Sequence, residues 1–449
     1  MPLIRQQFNA PVDLAELQRL DPARFPLLLQ SVAGGNALSR WDILFIANGE
    51  GLQLRDGVTR TLTGDCVPGT FLDALDAQFG SICHQNPQPG LPFTGGWALY
   101  AGYELAGQIE TSVRMPGFAG PLPDALALRC PAALLLDRQS GACTAVAEHG
   151  HEILLRQAMA QSLEAGRLQA VPEWTEGECI EEPPERFTEA VRRILDYIKA
   201  GDVFQVNVSR AWRGVFANAD AHALYRRLCR LNPAPFAGML QFDGWSLLSS
   251  SPERLVSQHS GVLQTRPIAG TRARIPGEDE SAKIRELIGH PKERAEHVML
   301  IDLERNDLSR VCEPGSIRVD ELMAIESYQH VHHIVSNVSG RLKPGITPGQ
   351  VIAAVFPGGT ITGCPKVRCM QIIAELEATG RGPYTGALGY LNRNGDMDLN
   401  ILIRSLWLQG DTLELRAGAG IVSDSIAGQE LLETRAKAKG LLRALGAVE

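Results

Sequence analysis

The chain has 449 residues, of which 44% are hydrophobic and 21% charged, with a formal charge of -8. That is enough apolar material for two domains or one large intertwined one, and the acidic balance argues against a general nucleic-acid or anionic-membrane binder. Nine cysteines, odd in number and without C-x-x-C spacing, indicate neither a disulfide framework nor a zinc site, so a reducing compartment fits. The opening MPLIRQQFNAPVDLAELQRLD lacks a charged n-region before an apolar core. No run approaches the roughly 18 apolar residues of a membrane span, and the expectation is a cytoplasmic protein without a membrane partner.

To about residue 170 the chain alternates short β-rich runs with turn signals. Arg40 to Ala47, then Asn48-Gly49-Glu50-Gly51, then Leu52 to Leu54 predict a hairpin. Further strands are expected at Trp97 to Tyr103 and Ala132 to Asp137, and a helix near Glu152 to Leu168. Val171 to Pro184, rich in Glu and Pro, has a linker's composition, which divides the chain into residues 1–180 and 185–449. Phe187 to Ala200 then places Val191, Ile194, Leu195 and Ile198 on one helical face, with Gly201 as terminator.

Within the second segment, Ser250-Ser251-Pro252-Glu253-Arg254 ends a strand-like run at an acid–base pair. A Glu beside apolar walls can hold a raised pKa and act as a general acid; a surface Glu–Arg pair is the alternative. Glu296 lies on an expected helix from Lys292 to Arg310. His330, His332 and His333 fall on a β-branched run where His333 points opposite to the other two. One histidine facing a pocket for proton transfer or positioning suits this better than a three-histidine metal site.

Phe356 to Lys366 reads FPGGTITGCPK. Three glycines, two threonine hydroxyls (Thr360 and Thr362) and the charge of Lys366 suit an anionic small molecule, although an ordinary surface loop has the same composition. It is not a Walker A loop, because Cys364 and Pro365 separate Gly363 from Lys366 and no Ser or Thr follows the lysine. Beyond it come Gly382-Pro383-Tyr384-Thr385-Gly386, a strand from Asp398 to Leu406 carrying Arg404, and Ala417-Gly418-Ala419-Gly420. The last is a lone G-x-G, weak as a dinucleotide signature but able to offer N–H groups to a carboxylate. In the final helix Glu430 and Glu433 share a face. On spacing alone they and Lys437 are a solvated surface, while a magnesium site would need one or two carboxylates with substrate oxygens and waters.

Taken together, these motifs resemble the chorismate-binding family, which includes anthranilate, aminodeoxychorismate, isochorismate and salicylate synthases. The resemblance runs in order from about residue 187 to 446 through Phe204-Gln205-Val206-Asn207, Ser251-Pro252-Glu253-Arg254, Pro267-Ile268-Ala269-Gly270-Thr271, Asp302-Leu303-Glu304-Arg305-Asn306-Asp307, Val331 to Ser336, the FPGGTITGCPK loop, Gly418 to Ser425 and Glu430-Leu431-Leu432-Glu433-Thr434. It implies an α+β, anthranilate-synthase-like fold, with two large, mainly antiparallel sheets packed as a sandwich and helices outside. It also implies a magnesium-dependent enzyme acting on chorismate. Carried over by motif, Glu296 and Glu433 with Glu430 nearby would hold Mg2+. Arg404, Tyr384, Gly418 and Gly420 would hold the enolpyruvyl carboxylate, and Thr271, Thr362, Gly363 and Lys366 would line the pocket. Glu253 would protonate the departing hydroxyl, with His333 assisting at the ring.

The nucleophile turns on fewer positions. Water-using members of the family carry a lysine where this chain has Gln205, which implies ammonia. No cysteine sits in a G-x-C-x-G elbow, so a separate glutamine amidotransferase partner is implied. Ala269, where aminodeoxychorismate synthases typically have a nucleophilic lysine, resembles the anthranilate branch. Asn207, His332-His333, Gly359 and Arg40-Trp41-Asp42-Ile43 resemble the aminodeoxychorismate branch, whose product feeds 4-aminobenzoate and folate biosynthesis, and that branch is the expectation. The alternatives are anthranilate formation and a silent chorismate- or tryptophan-binding regulator. Leu27 to Ser31 resembles the stretch that helps form a tryptophan pocket in the family, with Gln30 where anthranilate synthases usually have Glu.

Overall fold

Trp41–Ile46 (WDILFI) and Ala125–Cys130 (ALALRC) are apolar at successive rather than alternate positions, the pattern of strands covered on both faces. The computed structural model, which describes residues 3–8, 13–33, 40–84, 90–165, 172–175, 177–274, 279–289, 291–327 and 331–447, shows what covers them. Ile43 and Phe45 point into a core shared with Leu126 and Leu128 of the opposing sheet. Leu44 and Ile46 point the other way, onto helices Leu14–Leu20, Glu152–Ala165, Ala221–Leu231 and Ala427–Leu445. Ala125 and Ala127 pack outward in the same way, beneath helices that include Phe71–Ile82 and Pro348–Val355. The result is the expected α+β sandwich, two sheets face to face with helices on both outer faces. Each fully buried Leu or Phe in it contributes roughly 1.5–3 kcal/mol.

The first sheet has the order Ile4–Phe8, Cys143–Ala147, Ala132–Asp137, Trp41–Ile46, Leu27–Gln30, Phe236–Phe242, Trp245–Ser251, Ser405–Gln409, Thr412–Ile421, Gln205–Val215 and Cys179–Glu181. The second runs Ile268–Ala273, Val331–Arg341, Val262–Thr265, Arg254–His259, Met397–Ile401, Ala387–Asn392, Gly96–Ala101, Ala125–Cys130, Gly51–Arg55 and Val58–Thr61. Gly363–Cys364 adds to the first sheet beside Gln205–Val206, and Arg318–Ser327 to the second. The pairings are antiparallel. Each sheet takes strands from before residue 180 and from after residue 185. No helix among the described residues is long and apolar enough to cross a membrane.

Two expectations are corrected. Trp41–Ile46 and Gly51–Arg55 do not form a hairpin, because the first pairs with Leu27–Gln30 and Ala132–Asp137 and the second with Val58–Thr61 and Ala125–Cys130. The Asn48-Gly49 turn carries the chain from one sheet to the other. The expected strand from Asp398 to Leu406 is likewise split into Met397–Ile401 and Ser405–Gln409, which belong to different sheets. His330 lies outside the described residues.

Candidate active site

Two strands change sheets side by side, and each crossing carries a charged residue into the interior. The chain leaves the first sheet after Ser251 and enters the second at Arg254, with Glu253 between; it leaves the second after Ile401 and enters the first at Ser405, with Arg404 between. The crossings are tied together. The Ile401 amide donates to the Glu253 carbonyl at 3.0 Å, the Ser251 hydroxyl to the Ile401 carbonyl at 2.5 Å, and the Ser250 amide to the Arg404 carbonyl at 3.1 Å. Arg404 adopts φ 50°, the left-handed region that a side chain enters only when its surroundings enforce it, at a cost of about 1–3 kcal/mol.

Burial pushes the Glu253 carboxyl up to about 7, against the opposing pull of the Thr360 hydroxyl, the Ile268 backbone and the charges of Lys437 and Arg404. Its Oε1 has no hydrogen-bond partner. Burial also draws the Arg404 guanidinium below its usual value, with Glu253 pulling it back. His333 is pushed down to about 4 by burial and then by the Arg404 charge, so its imidazole is neutral near pH 7. A protonatable acid, a cation and a neutral imidazole thus share one buried locus.

The strands Gln205–Val215 and Thr412–Ile421 form one wall, paired so that Asn207 opposes Gly420 and Ser209 opposes Gly418. Both glycines are required by close approach. A Cβ at Gly418 would stand 2.7 Å from the Tyr384 hydroxyl and 2.9 Å from Asn207 Oδ1, and one at Gly420 would strike Gln205 Nε2. Gln205 Oε1 and Asn207 Oδ1 are buried without hydrogen-bond partners, a state that costs about 1–3 kcal/mol per group unless a ligand supplies the partner. Burial pushes the Tyr384 phenol up to about 12, so it remains a donor.

The FPGGTITGCPK loop forms the next wall. Gly363 at φ 133° has its Cα against the Gln205 carbonyl, where any side chain would clash. The Thr362 hydroxyl donates to the Gly358 carbonyl at 2.8 Å and so closes the loop on itself. Thr360 Oγ1 is buried within reach of the Glu253 carboxyl. The expectation that Lys366 offers a free charge is corrected, because its Nζ lies 2.6 Å from Asp307 Oδ2 in a buried ion pair. Neither Asp307 nor Glu304 stood out in the sequence beyond its place in the DLERND motif. Ala269 and Thr271 lie on Ile268–Ala273, paired in register with Ile334 and His333; the Thr271 side chain is outside the described residues.

Lys437, read from sequence as part of a solvated face, is exposed, and its ammonium also reaches the edge of this locus. Its Nζ donates to the Gly418 carbonyl at 3.1 Å and pairs with Glu433 at 2.7 Å. The i,i+4 spacing of Glu433 and Lys437 was the available signal. Glu430 and Glu433 project from Ala427–Leu445, and Glu296 from Pro291–Ser309. Among the described residues no three His, Cys, Asp or Glu groups are gathered as a metal nest. An all-oxygen donor set of this kind fits a hard cation that takes one or two carboxylates and completes its shell with water and substrate.

Beneath the walls lies a satisfied ionic network. Arg381 donates to Glu377 Oε1 at 2.6 Å, to the Asn207 carbonyl at 2.7 Å and to Thr385 Oγ1 at 3.2 Å, and its guanidinium packs on Tyr103 and Tyr384. Arg416 also engages Glu377, at 3.0 Å, which holds the Glu377 carboxylate below its ordinary range despite burial. Glu104, from the first segment, accepts the amides of Arg381 and Gly382 at 2.7 and 3.0 Å. One arginine therefore fixes the Asn207 strand and the Tyr384 turn relative to each other.

A separate cavity of about 270 Å³ is lined by Gln30, Ser31, Arg40, Trp41, Phe236 and Tyr390, among others. This is where Leu27 to Ser31 leads. Its arginines are already paired, Arg40 with Asp137 at 2.9 Å and Arg254 with Asp398 at 2.7 Å. Among the described residues no hydrogen bond or ion pair engages the Arg404 side chain, so Arg404 has the spare charge for a carboxylate.

Comparison with known proteins agrees with this geometry. Residues 54–443 match the family of chorismate binding enzymes. The chain is 37% identical over 447 residues to aminodeoxychorismate synthase component 1 of Bacillus subtilis (strain 168), covering 96% of this chain and 94% of that protein. It is 37% identical over 485 residues to anthranilate synthase component 1 of Neisseria meningitidis serogroup A, covering 100% and 96%. The crystal structure of anthranilate synthase component I from Streptococcus pneumoniae TIGR4 superposes with a TM-score of 0.81 at 32% identity, covering 91% of this chain and 93% of that one. The chain belongs to the chorismate-binding enzyme family. Within that family it is a chorismate-utilising enzyme of the anthranilate/aminodeoxychorismate synthase group.

Proposed function

We propose that this protein is component I of an aminodeoxychorismate synthase. It replaces the C4 hydroxyl of chorismate with ammonia delivered by a glutamine amidotransferase subunit, and it works in 4-aminobenzoate and folate synthesis in the cytoplasm. Gln205 carries the amination reading. A carboxamide cannot take a proton from water at neutral pH, but its unpartnered Oε1 can accept an N–H of ammonia and aim the lone pair. Asn207, beside Gly418 with its own Oδ1 unpartnered, supports the C4 branch, as do Gly359 and His332-His333.

In this reading Arg404 and the Tyr384 hydroxyl hold the enolpyruvyl carboxylate with backbone amides near Gly418 and Gly420. Thr271, Thr362, Gly363 and the paired Lys366 shape the pocket. Glu253, protonated, gives its proton to the leaving hydroxyl as the C–O bond breaks and the C–N bond forms. Water departs and the entering nitrogen gives up one proton, so no net proton is consumed. Neutral His333 positions the ring or takes that proton. Glu296, Glu430 and Glu433 would hold Mg2+, which supplies charge neutralisation of the ring carboxylate.

Ala269 and the anthranilate synthases at similar identity favour a second reading, anthranilate formation. Incubation with chorismate, Mg2+ and an ammonium salt separates the two. The expected product is aminodeoxychorismate, which an added lyase converts to 4-aminobenzoate. Anthranilate with pyruvate would overturn the C4 assignment, and failure to consume chorismate would leave only a binding protein.

A further inference from the structure

The strands Ala387–Asn392 and Met397–Ile401 pair in register up to Ala387 opposite Ile401. One residue further the register breaks. The Leu402 amide donates to the Gly386 carbonyl at 2.8 Å, the Thr385 amide donates to the Leu402 carbonyl at 2.8 Å, and the Gly386 amide turns back to the Pro383 carbonyl at 3.0 Å. Two residues thus face one, the geometry of a β-bulge, and the first of the two, Thr385, stands at φ 64°. Glycine is the ordinary occupant of a left-handed bulge position, because a β-branched side chain there crowds its own backbone.

The threonine hydroxyl is where that strain is offset. Thr385 is buried, and its Oγ1 donates to the Tyr384 carbonyl at 2.5 Å and accepts from Arg381 Nη1 at 3.2 Å. The same Nη1 donates to the Ile361 carbonyl of the FPGGTITGCPK loop at 3.4 Å, and Arg381 is fixed in turn by Glu377 at 2.6 Å. The bulge is therefore pinned to the ionic network beneath the site. It also lies between the two side chains placed on the enolpyruvyl carboxylate. Tyr384 directly precedes Thr385, and Arg404, itself at φ 50°, follows Leu402 by two residues. The Arg404 carbonyl is held from the other side by the Ser250 amide at 3.1 Å.

We propose that Thr385 is a positioning residue for substrate binding: it locks the bulge that sets the Tyr384 hydroxyl and the Arg404 guanidinium relative to each other. The proposal rests on the reading of Arg404 and Tyr384 as the groups that hold the carboxylate. Glycine would satisfy the backbone at this position, but it would leave Arg381 Nη1 without the hydroxyl and the bulge free to turn. Serine would keep the hydroxyl with one methyl fewer.

The test is a double-mutant cycle on chorismate affinity, measured by calorimetric titration with Mg2+ and without ammonia in Thr385→Gly, Arg404→Met and the double variant. Thr385→Gly should weaken binding about tenfold in the wild-type background, yet less than about twofold in the Arg404→Met background, because residues that act through one another are not additive. Thr385→Ser should bind within about twofold of the wild type. Thr385→Val, which keeps the branched shape without the hydroxyl, gives a second reading should Thr385→Gly fold poorly, and the same pattern is expected of it. An equal loss in both backgrounds, or an unchanged Kd in Thr385→Gly and Thr385→Val, would overturn the proposal. If Arg404→Met itself binds chorismate as the wild type does, the carboxylate reading fails first; if Arg404→Met weakens binding while the losses are additive, only the Thr385 proposal fails.

Discussion

Between the two sheets, the stretch around Phe45, Phe93, Tyr390 and Leu388 and the stretch around Asn207, Glu253 and Arg404 are both shut away from water, yet they are built on opposite terms. The first is filled by rings and aliphatic chains: Phe93 meets Phe45 edge-on at 4.8 Å and Tyr390 at 5.7 Å. Its burial stabilises the fold. The second leaves Gln205 Oε1, Asn207 Oδ1 and Glu253 Oε1 without hydrogen bonds. It also holds Arg404 in a left-handed conformation. Such a site is destabilising in isolation and favourable only when a ligand supplies the missing partners. The apolar stretch, with the Arg381–Glu377–Arg416 network, offsets that cost.

Substitutions in the two stretches should therefore separate stability from turnover. The largest effect is expected from Glu253→Gln, which should lower chorismate turnover by about 10²–10⁴-fold while leaving the melting temperature unchanged or raised at pH 8. Steady-state kinetics with thermal denaturation checks both. Arg381→Met joins the two regimes, since it leaves Glu377 buried without its main partner. A loss of about 3–5 kcal/mol in denaturant unfolding is expected, with weaker chorismate binding in whatever fraction folds. Leu126→Ala, in the apolar stretch, should cost about 2–5 kcal/mol but keep kcat per folded molecule. A fall in kcat without a fall in stability would break the comparison.

The smallest effect is on pH. Glu104 and Glu253 are raised to about 7 and Glu304 to about 8, each from a usual 4.5. A carboxyl whose folded pKa is raised keeps its proton in the native state after the unfolded chain has lost it. Its stabilising contribution is therefore complete below about pH 4.5 and declines as pH rises through 7 to 8. The melting temperature should be a few degrees lower at pH 8.5 than at pH 5.5, and Glu104→Gln should flatten the slope.

The sequence disclosed the site's parts better than their arrangement. Glu253, Arg404, Tyr384 and the two glycines are legible as motifs, because chemistry and close approach restrict residue type there. That Arg404 interrupts a strand at φ 50° is not legible, since the apolar run from Asp398 to Leu406 continues smoothly through the change of sheet. The same blindness produced the false hairpin at Asn48-Gly49, where a turn signal says that the chain reverses but not which strands then pair. Lys366 looked like a free cation because its partner, Asp307, lies 59 positions away. Lys437 is solvated, as the helical wheel has it, but the wheel cannot show the carbonyl of Gly418 within its reach. Glu304 carried no local signal, as its setting is made by burial and by Lys366 from a distant loop.

Calorimetric titration of chorismate, with Mg2+ and without ammonia, into Arg404→Met and Arg40→Met tests most directly where the substrate sits. Arg404 is the unpaired guanidinium at the sheet crossing; Arg40 lines the 270 Å³ cavity and is paired with Asp137. Arg404→Met should weaken binding by at least about tenfold, equivalent to about 1.4 kcal/mol, and Arg40→Met should leave it unchanged. The reverse, with binding lost in Arg40→Met and kept in Arg404→Met, would move the substrate to the other cavity and contradict the site described above.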